Sequence, residues 1–371
     1  MRKNLTLLAA VSALALTAGV AKADIQIATV GPITGSNAAF GEQLKKGAEQ
    51  AVADINAKGG VLGQKLVLTV GDDACDPKQA VAVANQLASK GVVFVAGHFC
   101  SGSSIPASAV YNESGILQIT PASTNPALTE DAAKKKWDNV YRTCGRDDQQ
   151  GLVAGKYLLS HYKGKAVAVI DDKSAYGKGL ADETTKTINA GGLKEAVHES
   201  ITAGDKDFTA LISKLKQANV EALYFGGYQT EAGLLVRQAR EQGLKAQMIS
   251  GDALPTTEFW GITGPSGEGT LFTFASDPQK KASAKAIVDE FKKTGYEPEG
   301  YTLYTYAAVQ VFAAAAEKAK SIKLPDLVKA LHANSFDTVI GPIKYDAKGD
   351  ISESDFVVWQ WHDGKYGELN G

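Results

Sequence analysis

The chain has 371 residues, 44% of them apolar and 22% charged, with a net charge of -2 at pH 7. That apolar fraction argues against disorder, and no three-residue Gly period marks a collagen. Lys+Arg 39 against Asp+Glu 41 leaves no basic excess to meet phosphates, so no nucleic-acid partner is expected.

Residues 1–23 open with basic Arg2 and Lys3, continue through an apolar stretch from Leu7 to Val20, and end in Ala21-Lys22-Ala23. That three-part order is the signature of a secretory signal peptide. The apolar stretch is short for a membrane span, which needs roughly 20 residues. The mature chain is expected to start at Asp24 and to be exported. Loss of Arg2, Lys3 and Lys22 then takes the net charge from -2 to -5.

From Asp24 short apolar runs alternate with stretches of helical period. IQIATVGP reads as a strand and residues 40–58 as a helix ending in Gly59-Gly60; LVLTV, VVFVAG and ILQITPA follow as strands with helices between them. After Val140 and Tyr141 comes a helix over 147–162. A second series then starts: AVAVIDD, a helix over 178–190, LKEAVHESI, a helix over 208–218, ALYFGGY, a helix over 231–242, and AQMISGD. Such alternation predicts an α/β fold of mostly parallel sheets flanked by helices, and the restart near residue 145 predicts a second sheet. After GTLFTFAS the chain turns to helices over 281–294, 301–320 and 324–334. It ends in the strand-like pieces TVIGPIKYD and DFVVWQWHDG, which are expected to complete sheets begun earlier.

Export to an oxidising compartment permits a disulfide among the three cysteines. Cys75 and Cys100 each follow a strand-like run and are joined by a helical stretch, which puts them side by side in a right-handed βαβ unit. They are the expected pair and Cys144 the odd thiol; three free, buried thiols remain the plainer alternative.

Enzymatic and metal motifs are missing. His98, His161, His198, His332 and His362 show no zinc-ligand spacing, and GHFCSGSS around Ser101 is not a nucleophile elbow. The acidic cluster Asp346, Asp350 and Asp355 lacks the EF-hand order. No cofactor or metal is expected. A hydrolase using Ser101 would lack a visible base.

Ligands of open α/β sheets sit beyond the carboxyl ends of the strands. Those ends carry Phe99, Ser101, Ala122, Ser123, Thr124, Tyr176, Tyr228 and Asp252. The set suits a zwitterion: hydroxyls and helix N-terminal N–H groups for a carboxylate, Asp252 and the Ala122 carbonyl for an ammonium, and aromatic walls from Phe40, Phe99, Tyr176, Tyr228 and Tyr301. Plainer readings stand beside each. Ser101 and Thr124 could be helix caps, the aromatics core, and Asp252 a turn residue.

The stretch GAEQAVADINAKGGVLGQKLVLTVGDDACDPKQAVAVANQLASKGVVFVAGHFCSGSSIPAS resembles the periplasmic leucine/isoleucine/valine-binding proteins. ITPASTNPALT, YRTCGRDDQQG, SAYGKGLA, ITAGDKDFTALISKLK, YFGGYQTEAGLLVRQARE, TYAAVQ and ANSFDTVIGPIKYDAKGD continue the likeness in order over nearly all of the mature chain. The resemblance implies the monomeric soluble receptor of an ATP-driven (ABC) importer, with a branched-chain amino acid in the cleft of a two-lobed type I fold, delivered to membrane permease subunits. It implies one lobe from 24–144 plus 277–351 and another from 145–276 plus 352–371, with crossings near 143–146, 275–278 and 350–354. The family's disulfide falls on Cys75 and Cys100. Its carboxylate contacts fall on Ser101 and Thr124, its ammonium side on Ala122, and its side-chain pocket on Phe40, Phe99, Tyr176, Tyr228 and Tyr301. Asp252 stands where better-known members carry Glu, Phe40 and Phe99 where Tyr or Trp and Leu are common, and Cys144 where Thr is frequent. A relative tuned to another small solute, such as Ala, an aromatic amino acid, a γ-amino acid or a short amide, is the alternative.

Overall fold

Runs of Val, Ile, Leu and Ala make strands buried on both faces, and the amphipathic stretches between them make the helices that cover those faces. The structure, a computed structural model, describes residues 23–352 and 354–369. The expected signal peptide lies outside these residues apart from Ala23, as does one residue of the third expected crossing.

The first series is β1 (Ile25–Gly31), α1 (Ala38–Ala57), β2 (Leu66–Asp72), α2 (Pro77–Ser89), β3 (Phe94–Gly97), α3 (Ser101–Glu113), β4 (Leu117–Thr120), α4 (Ala127–Lys134) and β5 (Val140–Arg142). Its strands lie parallel in the order β2-β1-β3-β4-β5. Local chemistry sets the helix ends. Asp76 caps α2, accepting from the N–H groups of Lys78 and Gln79 at 2.9 and 2.7 Å, with Pro77 in the first turn where no donor is missed. The helix stops at Lys90, before Gly91 turns the chain at φ 70°.

The second series is α5 (Asp147–Tyr162), β6 (Val167–Asp171), α6 (Ala175–Ala190), β7 (Val197–Ser200), α7 (Thr209–Gln217), β8 (Ala222–Gly226), α8 (Gln229–Glu241), β9 (Gln247–Ser250), α9 (Thr257–Thr263) and β10 (Leu271–Ala275). The parallel strands run β7-β6-β8-β9-β10, the same winding as in the first sheet. The chain then gives α10 (Lys285–Lys293), α11 (Thr302–Ala319) and α12 (Leu324–Ala333). The largely buried α11 packs on α1 and touches β3 and β4, so these late residues rejoin the first sheet. Phe312 of α11 stacks on Phe94 of β3 with ring centroids 4.5 Å apart. The chain ends in β11 (Phe336–Thr338), β12 (Gly341–Ile343), β13 (Phe356–His362) and β14 (Lys365–Glu368).

The expectation that both late strand-like pieces complete earlier sheets is met by β13, which pairs antiparallel with β10 and carries β14 at its edge. It fails for 338–346. There β11 and β12 form their own two-stranded ribbon, closing at Val339 and Ile340 with Thr338 Oγ1 donating to the Gly341 carbonyl at 2.6 Å. A hairpin pairs its own backbone groups and needs no larger sheet. Helix α6 starts three residues before the expected 178, because Ser174 caps it by accepting from Gly177 N–H at 2.8 Å; Tyr176 thereby lies in the first turn. Helix α10 starts at Lys285 because Pro278 opens a separate 3-10 turn. Neither α9 nor β14 is foreshadowed by the sequence pattern. No helix among the described residues is long and apolar enough to cross a membrane.

Candidate functional site

In each sheet the strand order reverses beside the first strand, between β1 and β3 and between β6 and β8, and a crevice opens there at the strand ends. The two crevices face each other. Phe99 and Ser101 follow β3 and Ala122 follows β4, while Tyr176, Tyr228 and Asp252 with Ala253 follow β6, β8 and β9. Tyr301, at the start of α11, closes the ring. These residues surround about 200 Å³ of unfilled space, of which about 10 Å³ is clear enough to seat a water. The smaller figure governs admission.

Backbone approach fixes the tyrosines. Gly177 in the first turn of α6 lies against Gly226 at the end of β8, and a Cβ on either would collide with the other's carbonyl. That contact seats Tyr176 and Tyr228 next to each other, with ring centroids 5.1 Å apart.

Asp252 is 2% exposed. Its Oδ1 accepts from the Tyr176 hydroxyl at 2.8 Å, and its Oδ2 accepts a short bond from the Tyr301 hydroxyl. Burial raises its pKa, against the lowering effect of those hydroxyls. Tyr301 belongs to the first sheet's side, since its N–H donates to Gln43 of α1 at 2.9 Å. The Tyr301–Asp252 bond therefore joins the two halves. Other straps do likewise: Gln229 Nε2 donates to the Ser36 carbonyl at 2.9 Å, Asn125 Nδ2 to the Ala175 carbonyl at 2.6 Å, and Thr257 N–H to Glu299 at 3.0 Å.

Ser101 is the first residue of α3, so its hydroxyl and the free N–H groups of that helix end share one place. Its Oγ accepts from Asn125 N–H at 3.3 Å. Nearby His98 cannot serve it as a base. His98 is fully buried, with Nδ1 2.6 Å from Asp73 and Nε2 2.8 Å from the Tyr111 hydroxyl, and both ring nitrogens are thereby engaged.

Three expected residues stand off the cavity wall. Phe40 lies behind it, stacked on Phe99 with centroids 4.4 Å apart and 13° between planes. Ser123 turns its hydroxyl inward, bonding Ser104 Oγ at 2.7 Å and the Phe99 carbonyl at 2.9 Å, because the loop needs its carbonyl for Arg142 at 2.5 Å. The Thr124 hydroxyl is buried without a hydrogen-bond partner. It sits toward Asp147 and favours that residue's charged form. Two residues behind the site escape sequence reasoning. Asp147 is fully buried with neither carboxylate oxygen bonded, and Gln150 is fully buried with its Oε1 free. Their only signal is polarity on the inward face of a helix that starts RDDQQG.

Cys75 and Cys100 are bridged, with Cα atoms 5.6 Å apart. Cys144 is a free, buried thiol whose pKa is raised by burial. Exposed Glu268, His362 and Asp363 gather at the surface, where His362 Nδ1 lies 2.5 Å from a Glu268 carboxylate oxygen.

Two equally wound parallel sheets that present polar and aromatic groups to each other across a crevice define a cleft-type solute receptor. The chain belongs to the periplasmic binding protein family, whose sequence profile matches residues 24–365. This is a ligand-receptor family rather than an enzyme family. The chain is 49% identical to Leu/Ile/Val-binding protein homolog 1 of Brucella suis biovar 1, over all of this chain and 99% of that protein. It is 48% identical to an amino acid binding protein of Pseudomonas aeruginosa, over 99% of this chain and 98% of the other. Among solved structures, LivJ of Streptococcus pneumoniae in complex with isoleucine superposes with a TM-score of 0.83 at 28% identity, covering 92% of this chain and 97% of that one. The leucine-binding protein LivK of Thermotoga maritima superposes with a TM-score of 0.84 at 27% identity, over 93% and 97%.

Proposed function

We propose that this protein is an exported receptor for branched-chain amino acids, bound in the cleft between two lobes and delivered to the permease of an ABC importer. The observation that carries the reading is the polarity of the cleft. A buried carboxylate, Asp252, lies on one side, and Ser101 with a helix N-terminus lies on the other. An α-amino acid carries the matching charges on adjacent groups. Ser101 takes the carboxylate, with Thr124 following by a small turn of its loop. Asp252 and the Ala122 carbonyl take the ammonium, and Phe99, Tyr176, Tyr228 and Tyr301 enclose the side chain, with Phe40 and Ser123 holding those walls from behind.

Residues 1–23 act as the export signal to the periplasm, and the mature receptor works as a monomer. The lobes are 24–144 plus 277–351 and 145–276 plus 352–371, hinged near 143–146, 275–278 and 350–354. A ligand that touches both lobes favours the closed state over the open one, and the closed state is what docks on the permease. In support, the relatives of near-half identity carry Leu/Ile/Val-binding or amino-acid-binding names.

A second reading has its own support. The Phe40–Phe99 stack thickens one wall. That favours a smaller neutral solute such as Ala within the same chemistry. One methylene in an apolar pocket changes binding by about 1–3 kcal/mol, so Leu, Ile, Val and Ala are separable by affinity. A melting screen over the amino acids decides between the readings. A ligand at a hundred times its Kd adds about 2.7 kcal/mol of stability. Failure of every neutral amino acid to shift the melting point of ligand-stripped protein overturns the receptor reading.

A further inference from the structure

Two carboxylates, rather than one, are buried at the ammonium end of the cleft. Asp252 reaches the cavity; Asp147, first residue of α5, is 0% exposed behind it and has no hydrogen bond to either oxygen. An ionised carboxylate left in that condition is costly, so its surroundings decide its state.

The groups facing Asp147 come from every element around it. Arg142, at the end of β5, is the cation that favours its charged form, yet the guanidinium is committed elsewhere. It donates to Asp350 at 2.7 Å, to the Ser123 carbonyl at 2.5 Å, to Thr129 Oγ1 at 2.9 Å and to the Asn125 carbonyl at 3.3 Å. Thr124 and the Cys144 thiol are neutral, and the thiol donates to Ser123 O at 3.7 Å. Asp148 on the same helix turns outward to Arg146 at 3.0 Å. The second sheet's side contributes Asp252 and the phenols of Tyr176, Tyr224 and Tyr228, all of which feel Asp147. Helix α6 offers backbone, with Gly179 lying beside Asp147 Oδ2. Strand β10 offers Thr273, already bonded to Gln150 at 3.0 Å, and β13 offers the Phe356 ring against Gly145. No uncommitted cation is among these groups.

Given the amino-acid receptor reading above, we propose that Asp147 and Asp252 act as a carboxylate pair that holds one proton in the empty cleft, and that arrival of the ligand's ammonium expels it. Burial raises the pKa of both; the Asp252 charge raises Asp147 further, against the lowering effects of Thr124 and Arg142, and the Tyr301 and Tyr176 hydroxyls partly offset burial at Asp252. The ligand enters as a zwitterion and adds a positive charge beside Asp252. Full ionisation of the pair is then the favoured state, and the displaced proton passes to the buffer. No covalent bond is made or broken. Asp147 thus acts as a specificity-determining residue without entering the cavity. It rewards a cationic head group, while an uncharged analogue leaves the proton in place.

The test is calorimetric titration of the purified protein with leucine and with alanine, at pH 7, in buffers of different ionisation enthalpy. The observed heat should vary with buffer, with a slope approaching one proton released per ligand bound. The Kd should fall as pH rises from 6 to 8, approaching about tenfold per unit where the pair still holds its proton. Asp147→Asn has nothing to ionise at that position and should bind without proton release. Binding with no buffer dependence and a flat Kd across this range overturns the proposal and leaves the receptor reading intact, as does an Asp147→Asn protein that releases as many protons as the parent. The pH series on the parent protein stands even if the variant fails to fold. Absence of binding by either amino acid overturns both.

Discussion

Arg142 reaches 208 residues along the chain to Asp350, with Nε 2.7 Å from Oδ1, and both side chains are buried. Arg146 holds the other oxygen, Oδ2, at 2.6 Å. The first and third passages between the sheets are thereby riveted to each other. The same guanidinium grips the carbonyls of Ser123 and Asn125, so the loop that carries Thr124 is positioned by Arg142.

Removing one partner of such a pair strands the others. Asp350→Asn is expected to lower unfolding stability by about 3–5 kcal/mol at neutral pH. Burial alone would raise the Asp350 carboxyl, but the two arginines more than offset it and the pKa lies below its usual value. A depressed acid contributes stability that is present above its unfolded pKa of about 3.9 and is lost as pH falls through its folded value. The deficit of Asp350→Asn should therefore shrink below about pH 4. Denaturant unfolding of both proteins at pH 7 and near pH 3 measures this; an equal deficit at both contradicts it.

Asp252 is expected to carry the ammonium contact. Asp252→Ala should weaken amino-acid binding by about 2–5 kcal/mol, the usual loss on truncating one member of a buried charge pair. Asp252→Asn separates binding from folding. A buried acid with a raised pKa detracts from stability as pH rises above its unfolded value. The amide should lose affinity while its ligand-free melting point at pH 7 does not drop. Calorimetry and melting on the same sample provide both readings.

The Phe40–Phe99 stack is expected to set the size of the bound side chain. Phe99→Leu should shift preference toward larger aliphatic amino acids by roughly tenfold, within the range of about 1–3 kcal/mol that small apolar volume changes produce. Competition between alanine and leucine on parent and variant gives the ratio directly. An unchanged ratio places the size limit elsewhere, with Tyr228 next.

Reduction tests the cysteine arrangement. The Cys75–Cys100 bridge spans a separation of 25 residues, and opening such a loop costs about 3 kcal/mol on the chain-entropy account. Melting should fall accordingly in reductant. Cys144 is buried with its thiol pKa raised by burial, so alkylation of the native, unreduced protein should label no cysteine. Unfolding without reductant should expose one thiol, mapped to Cys144. Labelling of the native protein at Cys144 would show that this thiol is accessible and overturn the prediction.

Much of this was readable from residue order because parallel strands and covering helices write a strong period. The runs around Val95, Ile119, Val169 and Phe225 are buried on both faces and leave no ambiguity of type. Strand ends are equally plain, and so Phe99, Ser101, Tyr176, Tyr228 and Asp252 could be placed together. Direction within a loop is not written that way. Ser123 and Thr124 are adjacent hydroxyls, and which of them turns inward depends on Arg142, 18 residues beyond Thr124. Asp147 hides for a related reason. Two acids in a first helical turn ordinarily complement the helix dipole, and Asp148 does so from the outer face, paired with Arg146. Nothing in the sequence says that its neighbour faces inward. The β11–β12 ribbon was misjudged because pairing partners, unlike strands, leave no local mark.

The shared winding of the two sheets has a consequence for what the receptor can report. On the proposed reading each crevice alone offers half of a recognition: one brings the Ser101 hydroxyl at a helix N-terminus, the other the Asp252 carboxylate. A molecule with a single charged end would fasten to one wall and leave the other indifferent. If the lobes close as proposed, closure is a logical conjunction, true only when both ends of a short dipole are present at once. Such a detector would ignore simple carboxylates and simple amines.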